Sequence, residues 1–166
     1  MNSAKNSSAI TENPLTVPPA SNQTPVKKNR VVTSRNHATD IIQRSLNAIP
    51  DSELILRGGC GFKIIVMLDG RADCYLYPSR GTKRWDSCAP EAVVRALGGE
   101  CTDIFNERYD YSNISPEEYE NVLGFISTFE NHRFYIKHLT TEMIGHVWHE
   151  AMKPKREKKS KNPASH

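Results

Sequence analysis

Three short clusters in this 166-residue chain carry side chains that could bind an anion. The first is Ser34-Arg35-Asn36-His37, which offers a hydroxyl, a guanidinium and an imidazole. The second is Gly58-Gly59-Cys60-Gly61 followed by Lys63, which offers bare backbone N–H groups and an ammonium. The third holds Arg80, Lys83, Arg84 and Asp86, three cations and one carboxylate. Glycines ahead of a helix leave unpaired N–H groups that, with the helix dipole, favour negative charge. A phosphate ester suits all three clusters if the fold brings them together. Asp86 is the odd member, and two roles fit it: an N-cap, or a hard oxygen ligand for Mg²⁺. Plainer readings stand beside these. Ser34 and His37 could satisfy backbone groups after a strand, and Gly58-Gly59 could be a simple turn. His146 and His149 lack the H-E-x-x-H pattern and read as an exposed helical face. Trp85 and Trp148 read as packing residues.

The elements that must position these clusters alternate along the chain. Residues 31–33 read as a β-branched strand, and 38–49 as a helix with Ile41, Ile42, Leu46 and Ile49 at helical spacing. Residues 54–56 read as a second strand. A helix over 62–68 stops at Asp69-Gly70, and a third strand over 72–77 ends at Pro78. The next helix runs over 86–97. Its signals are Asp86 or Ser87 as N-cap, Pro90 and Glu91 in the first turn, and Gly98-Gly99 past the end. Ala89, Val93, Ala96 and Leu97 are its apolar face. Short strands are expected at 101–104 and 122–128, and a terminal helix at 132–151. Strand and helix in alternation argue for a layered α/β sheet, in which ligands sit beyond the carboxyl ends of the strands. Those ends fall just after Thr33, Arg57 and Tyr77, where the three clusters are.

Composition narrows the class. Apolar residues are 37% and charged residues 25%, and the net charge is +3. Residues 1–30 carry +3 and residues 153–166 carry +5, so residues 31–152 carry −5. The basic character belongs to the two ends, which argues against a uniformly basic nucleic-acid-binding domain. Residues 1–30, rich in Asn, Ser, Thr and Pro, are expected to be a disordered leader. Residues 153–166 read as a flexible basic tail, with a nuclear-localisation or anionic-surface patch as the sharper reading. No apolar run approaches the roughly 18–20 residues needed to span a bilayer. The four cysteines, 60, 74, 88 and 101, form no C-x-x-C pair. They read as reduced thiols, and a cytoplasmic, reducing location fits them.

The stretch from Trp85 to Gly99, WDSCAPEAVVRALGG, resembles the second signature of the inositol monophosphatase-like superfamily. Ser34-Arg35-Asn36-His37, Gly58 to Ile65 (GGCGFKII) and Gly81 to Asp86 (GTKRWD) resemble its 3′(2′),5′-bisphosphate nucleotidase branch. The resemblance covers residues 31–111 and, more faintly, continues to 151. It implies the carboxyl-terminal half of that layered α/β sandwich. It also implies a Mg²⁺-dependent, lithium-sensitive phosphatase that converts adenosine 3′,5′-bisphosphate to AMP. Some members also cleave the 1-phosphate of inositol 1,4-bisphosphate. Ser34, His37, Gly59 and Lys63 match nucleotide-binding positions, Lys83 a looser phosphate contact, and Asp86 a metal ligand. No residue of this chain matches a catalytic position. Two upstream carboxylate motifs of the family, a Glu-Glu pair and an Asp-x-Ile/Leu-Asp-Gly-Thr segment, are absent from this sequence. Leu68-Asp69-Gly70-Arg71 only imitates the second, since it ends a helix. The expectation is therefore a chain inactive alone, with association through apolar surface that the other half would cover. A non-catalytic nucleotide-binding or interaction protein is the alternative.

Overall fold

The computed structural model describes residues 27–35, 40–112 and 119–141. Most of the expected leader, the basic tail, His37, His146, Trp148 and His149 lie outside the described residues. So does the expected helix beyond residue 141.

Among the described residues the elements follow in the order β1 (Asn29–Ser34), α1 (Asp40–Ala48), β2 (Ser52–Arg57), α2 (Cys60–Leu68), β3 (Cys74–Tyr77), α3 (Arg84–Ala96), β4 (Glu100–Thr102) and β5 (Phe125–Thr128). Residues 132–141 form a further helix, α4. The sheet has the order β2-β1-β3-β5-β4. β2, β1 and β3 are mutually parallel, while β5 runs antiparallel to both β3 and β4. The expected α/β sheet is therefore present, with a mixed edge.

Side chains alternate across the sheet and build a core on each face. Val31, Cys74, Leu76 and Ile126 face α1 and α4, meeting Ile41, Ile42, Leu46 and Leu139. Val32, Tyr75, Tyr77 and Phe125 face α2 and α3, meeting Ile64, Met67 and Val94. β3 is buried along its whole length, which suits a central strand, whereas β2 at the edge is half exposed.

Helix α3 departs from expectation in three ways. It starts two residues earlier, at Arg84, with extended Lys83 as N-cap. Neither Asp86 nor Ser87 is the cap: Asp86 sits at the third helical position and its Oδ2 accepts the Lys83 N–H at 2.8 Å. Pro90 accordingly lies inside the helix, where its ring removes the bond that would return to the Asp86 carbonyl. The third departure is the buried face. Ser87, Pro90, Glu91 and Val94 point inward, and Ala89, Val93, Ala96 and Leu97 point to solvent. Buried Glu91 is tolerated because Arg95 Nε stands 2.6 Å from its carboxylate and Tyr111 donates a hydroxyl at 2.6 Å. Trp85, expected to pack, meets Tyr119 edge-on but is 61% exposed.

All four cysteines are free thiols, two of them buried. His132, at the start of α4, is buried between two hydroxyls. Thr102 Oγ1 lies 2.8 Å from Nε2 and Thr128 Oγ1 3.0 Å from Nδ1. Thr102 also donates to the Asp103 carbonyl, so its oxygen is left to accept from Nε2–H. Burial lowers the His132 pKa, against a smaller opposing pull from Glu100. A histidine held below its unfolded value adds stability that is complete above about pH 6.5 and lost as pH falls through the folded value. Thermal melts from pH 7.5 down to 5 are expected to show that decline, and His132→Gln to flatten it. An equal slope in the variant would place the decline elsewhere.

Candidate functional site

β1, β2 and β3 are adjacent, parallel and in register, with Ser34 opposite Arg57. Their carboxyl ends therefore share one edge of the sheet. The structure brings Ser34, the Gly58-Gly59 turn and the segment from Ser79 to Asp86 to that edge. His37 belongs to the same connection but lies outside the described residues.

The glycine turn opens directly into α2. Gly59 is the N-cap, with φ of 71° and no side-chain cap. A positive φ favours glycine here, and a Cβ at Gly58 or Gly61 would meet nothing within 4 Å. The first turn of α2 is thus approachable through its backbone.

Lys63, one turn into α2, is only 2% exposed. Its Nζ donates to the Gly59 carbonyl at 3.3 Å and lies 4.9 Å from the Tyr75 ring centroid. Cys60 Sγ sits 3.2 Å from the Tyr75 hydroxyl. Burial lowers the Lys63 pKa, while the Cys60 and Asp86 charges oppose that fall. The same burial raises the Cys60 thiol and the Tyr75 and Tyr77 phenols, with Asp86 adding to each. The clusters carrying Lys63 and Asp86 stand on α2 and at the start of α3, and these two helices pack against each other.

The third cluster is less open than its composition suggests. Glu120 takes Arg80 Nε at 3.3 Å and Lys83 Nζ at 3.4 Å. Arg84 stacks its guanidinium 4.2 Å from the Tyr109 ring centroid and donates to Asn121 Oδ1 at 2.9 Å. The Lys83 ammonium is thus already paired with Glu120. Buried Asn121 is the hub of this region. Its Nδ2 reaches Thr82 Oγ1 and the Lys83 carbonyl at 3.0 Å and Ser87 Oγ at 3.2 Å. It ties the loop after β3 to the start of α3, and so fixes where Lys83 and Asp86 stand. Sequence reading missed Glu120 and Asn121 because they sit in a segment without periodicity. A charge-balance signal was present: three cations in five residues need a carboxylate nearby.

Among the described residues, no three His, Cys, Asp or Glu side chains gather where they could hold a metal ion. Asp86 brings one carboxylate, already accepting an N–H, whereas Mg²⁺ requires near-octahedral oxygen coordination. The described residues do not by themselves fit a Mg²⁺ site.

Comparison with known proteins identifies the family and the fold. The sequence profile described as Inositol monophosphatase family matches residues 1–141. The 3′(2′),5′-bisphosphate nucleotidase 1 of Dictyostelium discoideum is 38% identical over 111 residues, covering 67% of this chain and 35% of that protein. The mouse protein of the same name is 31% identical over 117 residues, covering 70% of this chain and 37% of its own. The chain thus spans a little over a third of these relatives. Among solved structures, the Thermotoga maritima IMPase superposes with a TM-score of 0.54 at 15% identity, over 72% of this chain and 43% of that one. That likeness concerns the fold.

Proposed function

The chain belongs to the inositol monophosphatase family, and on that premise we propose that it supplies the nucleotide-receiving half of a bisphosphate nucleotidase. The substrate in this reading is adenosine 3′,5′-bisphosphate and the product AMP. The observation that carries it is the convergence of the glycine turn, buried Lys63 and Asp86 at one sheet edge. A phosphate seated there would take N–H groups from the first turn of α2 and the ammonium of Lys63. Lys63 is withdrawn from water, where charge-assisted hydrogen bonds are strongest. Ser34 and His37 are assigned to the nucleotide from the end of β1. Lys83 is assigned an outer phosphate contact, in exchange with Glu120. Asp86 is assigned one ligand position in a Mg²⁺ site, whose other carboxylates must come from polypeptide beyond the described residues. No catalytic residue is assigned to this chain. Lithium sensitivity and action on inositol 1,4-bisphosphate follow only if the completed enzyme behaves as that branch does.

Residues 153–166 are assigned as a basic tail, and residues 1–30 as a leader segment, although the family profile reaches over that leader. A cytoplasmic setting is assigned from the free thiols; among the described residues no helix is long and apolar enough to cross a membrane. The direct assay is phosphate release from adenosine 3′,5′-bisphosphate with Mg²⁺. The chain alone is expected to give no turnover above background. Robust turnover by the chain alone would show that it holds a complete metal site, contrary to this reading.

A further inference from the structure

Arg57 ends β2, directly opposite Ser34 at the end of β1. Two residues earlier on the same strands, Ile55 stands opposite Val32, and both pack into the core beneath α2 and α3. Side chains two apart on a strand share a face, so Ser34 and Arg57 lie on the α2 face as well. Lys63 reaches down from α2 onto that face, over the ring of Tyr75, which pairs with Val32. The Gly58-Gly59 turn follows Arg57 immediately. The strand register therefore puts a guanidinium next to Ser34 and the glycine turn, on the face that carries Lys63.

The charge of Arg57 is uncommitted. Its Nη1 donates to the Leu56 carbonyl at 2.7 Å, and among the described residues no carboxylate pairs with it. The other cations of this edge are engaged or lie outside it. Arg80 and Lys83 share Glu120, Arg84 lies on the Tyr109 ring, and Arg35 is exposed past the end of β1. A phosphate monoester carries a charge of about −1.5 to −2 at pH 7, and Lys63 offsets one unit of it. A guanidinium fork can hold two oxygens of the same phosphate.

We propose that Arg57 is a specificity-determining contact: with Lys63 it holds the phosphate at the glycine turn, and so selects a dianionic phosphate monoester over a monoanionic diester. The proposal deepens the nucleotide reading above and rests on it. The half-buried side chain on an edge strand reaches an incoming phosphate without disturbing the core.

The test is calorimetric titration of the full chain with AMP and with AMP methyl-esterified on its phosphate. The parent, Arg57→Gln, Arg57→Lys and Lys63→Met are compared. The parent is expected to favour AMP over the ester by roughly tenfold or more, the worth of one charge-assisted contact. Arg57→Gln is expected to lose that preference, with AMP falling to the affinity of the ester and the ester little changed. Arg57→Lys should regain part of it, and both variants should melt within a few degrees of the parent. A parent without preference overturns the proposal. Loss of both ligands by one common factor in Arg57→Gln makes Arg57 a structural residue and also overturns it. So does parent-like AMP binding by Arg57→Gln; if Lys63→Met has lost AMP in the same series, the nucleotide reading stands without Arg57. A parent chain that binds neither ligand overturns both.

Discussion

Lys63→Met is expected to lose AMP binding while melting at or above the temperature of the parent chain. The two halves of this result have one cause. Lys63 as a residue is 2% exposed, yet the partners of its ammonium are a single carbonyl at 3.3 Å and the face of Tyr75. That is thin compensation for a desolvated charge, and burial accordingly lowers its pKa. Methionine keeps the length and the apolar stem, fills the gap and removes the charge. Stability is retained or gained, and the phosphate partner is gone. A charge-assisted hydrogen bond contributes about 1.5–3 kcal/mol, so affinity should fall roughly 10- to 100-fold. The sign with pH follows from the lowered pKa. The cost of burying the ammonium is full below the folded pKa and fades as pH rises toward about 10.5, the unfolded value. The melting difference between variant and parent should therefore shrink as pH rises toward about 10.5. A variant that melts well below the parent chain and binds AMP normally would make Lys63 a structural residue.

Gly124→Ala is expected to destabilise the fold by about 3 kcal/mol, the sum of a left-handed backbone penalty and overpacking. Gly124 has φ of +75°, and an added Cβ would lie 2.6 Å from the Tyr77 carbonyl oxygen and 3.0 Å from the backbone of Pro78. Both neighbours are backbone at the end of central β3, so neither can swing aside. The Gly124 carbonyl also accepts the Tyr109 hydroxyl. For a domain of this size the loss corresponds to a fall in Tm of roughly 10 °C or more. The damage should reach the binding edge, because the loop carrying Arg80 and Lys83 leaves from the same point. A melt within 2 °C of the parent would mean that the crossing of β5 over Pro78 is looser than described.

The contrast between these residues explains what could be read from the chain. β1 through α3 are legible because each apolar run is punctuated by Pro50, Gly58-Gly59, Asp69-Gly70 or Pro78, and the alternation implies parallel strands. The three clusters could be placed at one edge for the same reason: parallel neighbours end together. The face of α3 was not legible. Its apolar stripe announces an interface without saying which side the sheet lies on, and here Ser87 and Glu91 turn inward instead. Burying Glu91 depends on Arg95 four residues on and on Tyr111, twenty residues away. The cap of α3 was misplaced because Asp86 satisfies the Lys83 N–H from inside the helix rather than from its edge. Lys63 was legible as a position and not as an environment: nothing local says that Tyr75 and Cys60 enclose it. Glu120 and Asn121 depend on contacts nearly forty residues long, beyond the reach of any periodic signal.

The most direct measurement is an amide NMR titration of the full-length chain with AMP. The account predicts shifts confined to the carboxyl ends of β1, β2 and β3, largest at Gly59, Gly61 and Lys63 and visible at Ser34 and Asp86, and absent in Lys63→Met. Shifts centred on the basic residues after Lys153, with the glycine turn silent, would contradict it.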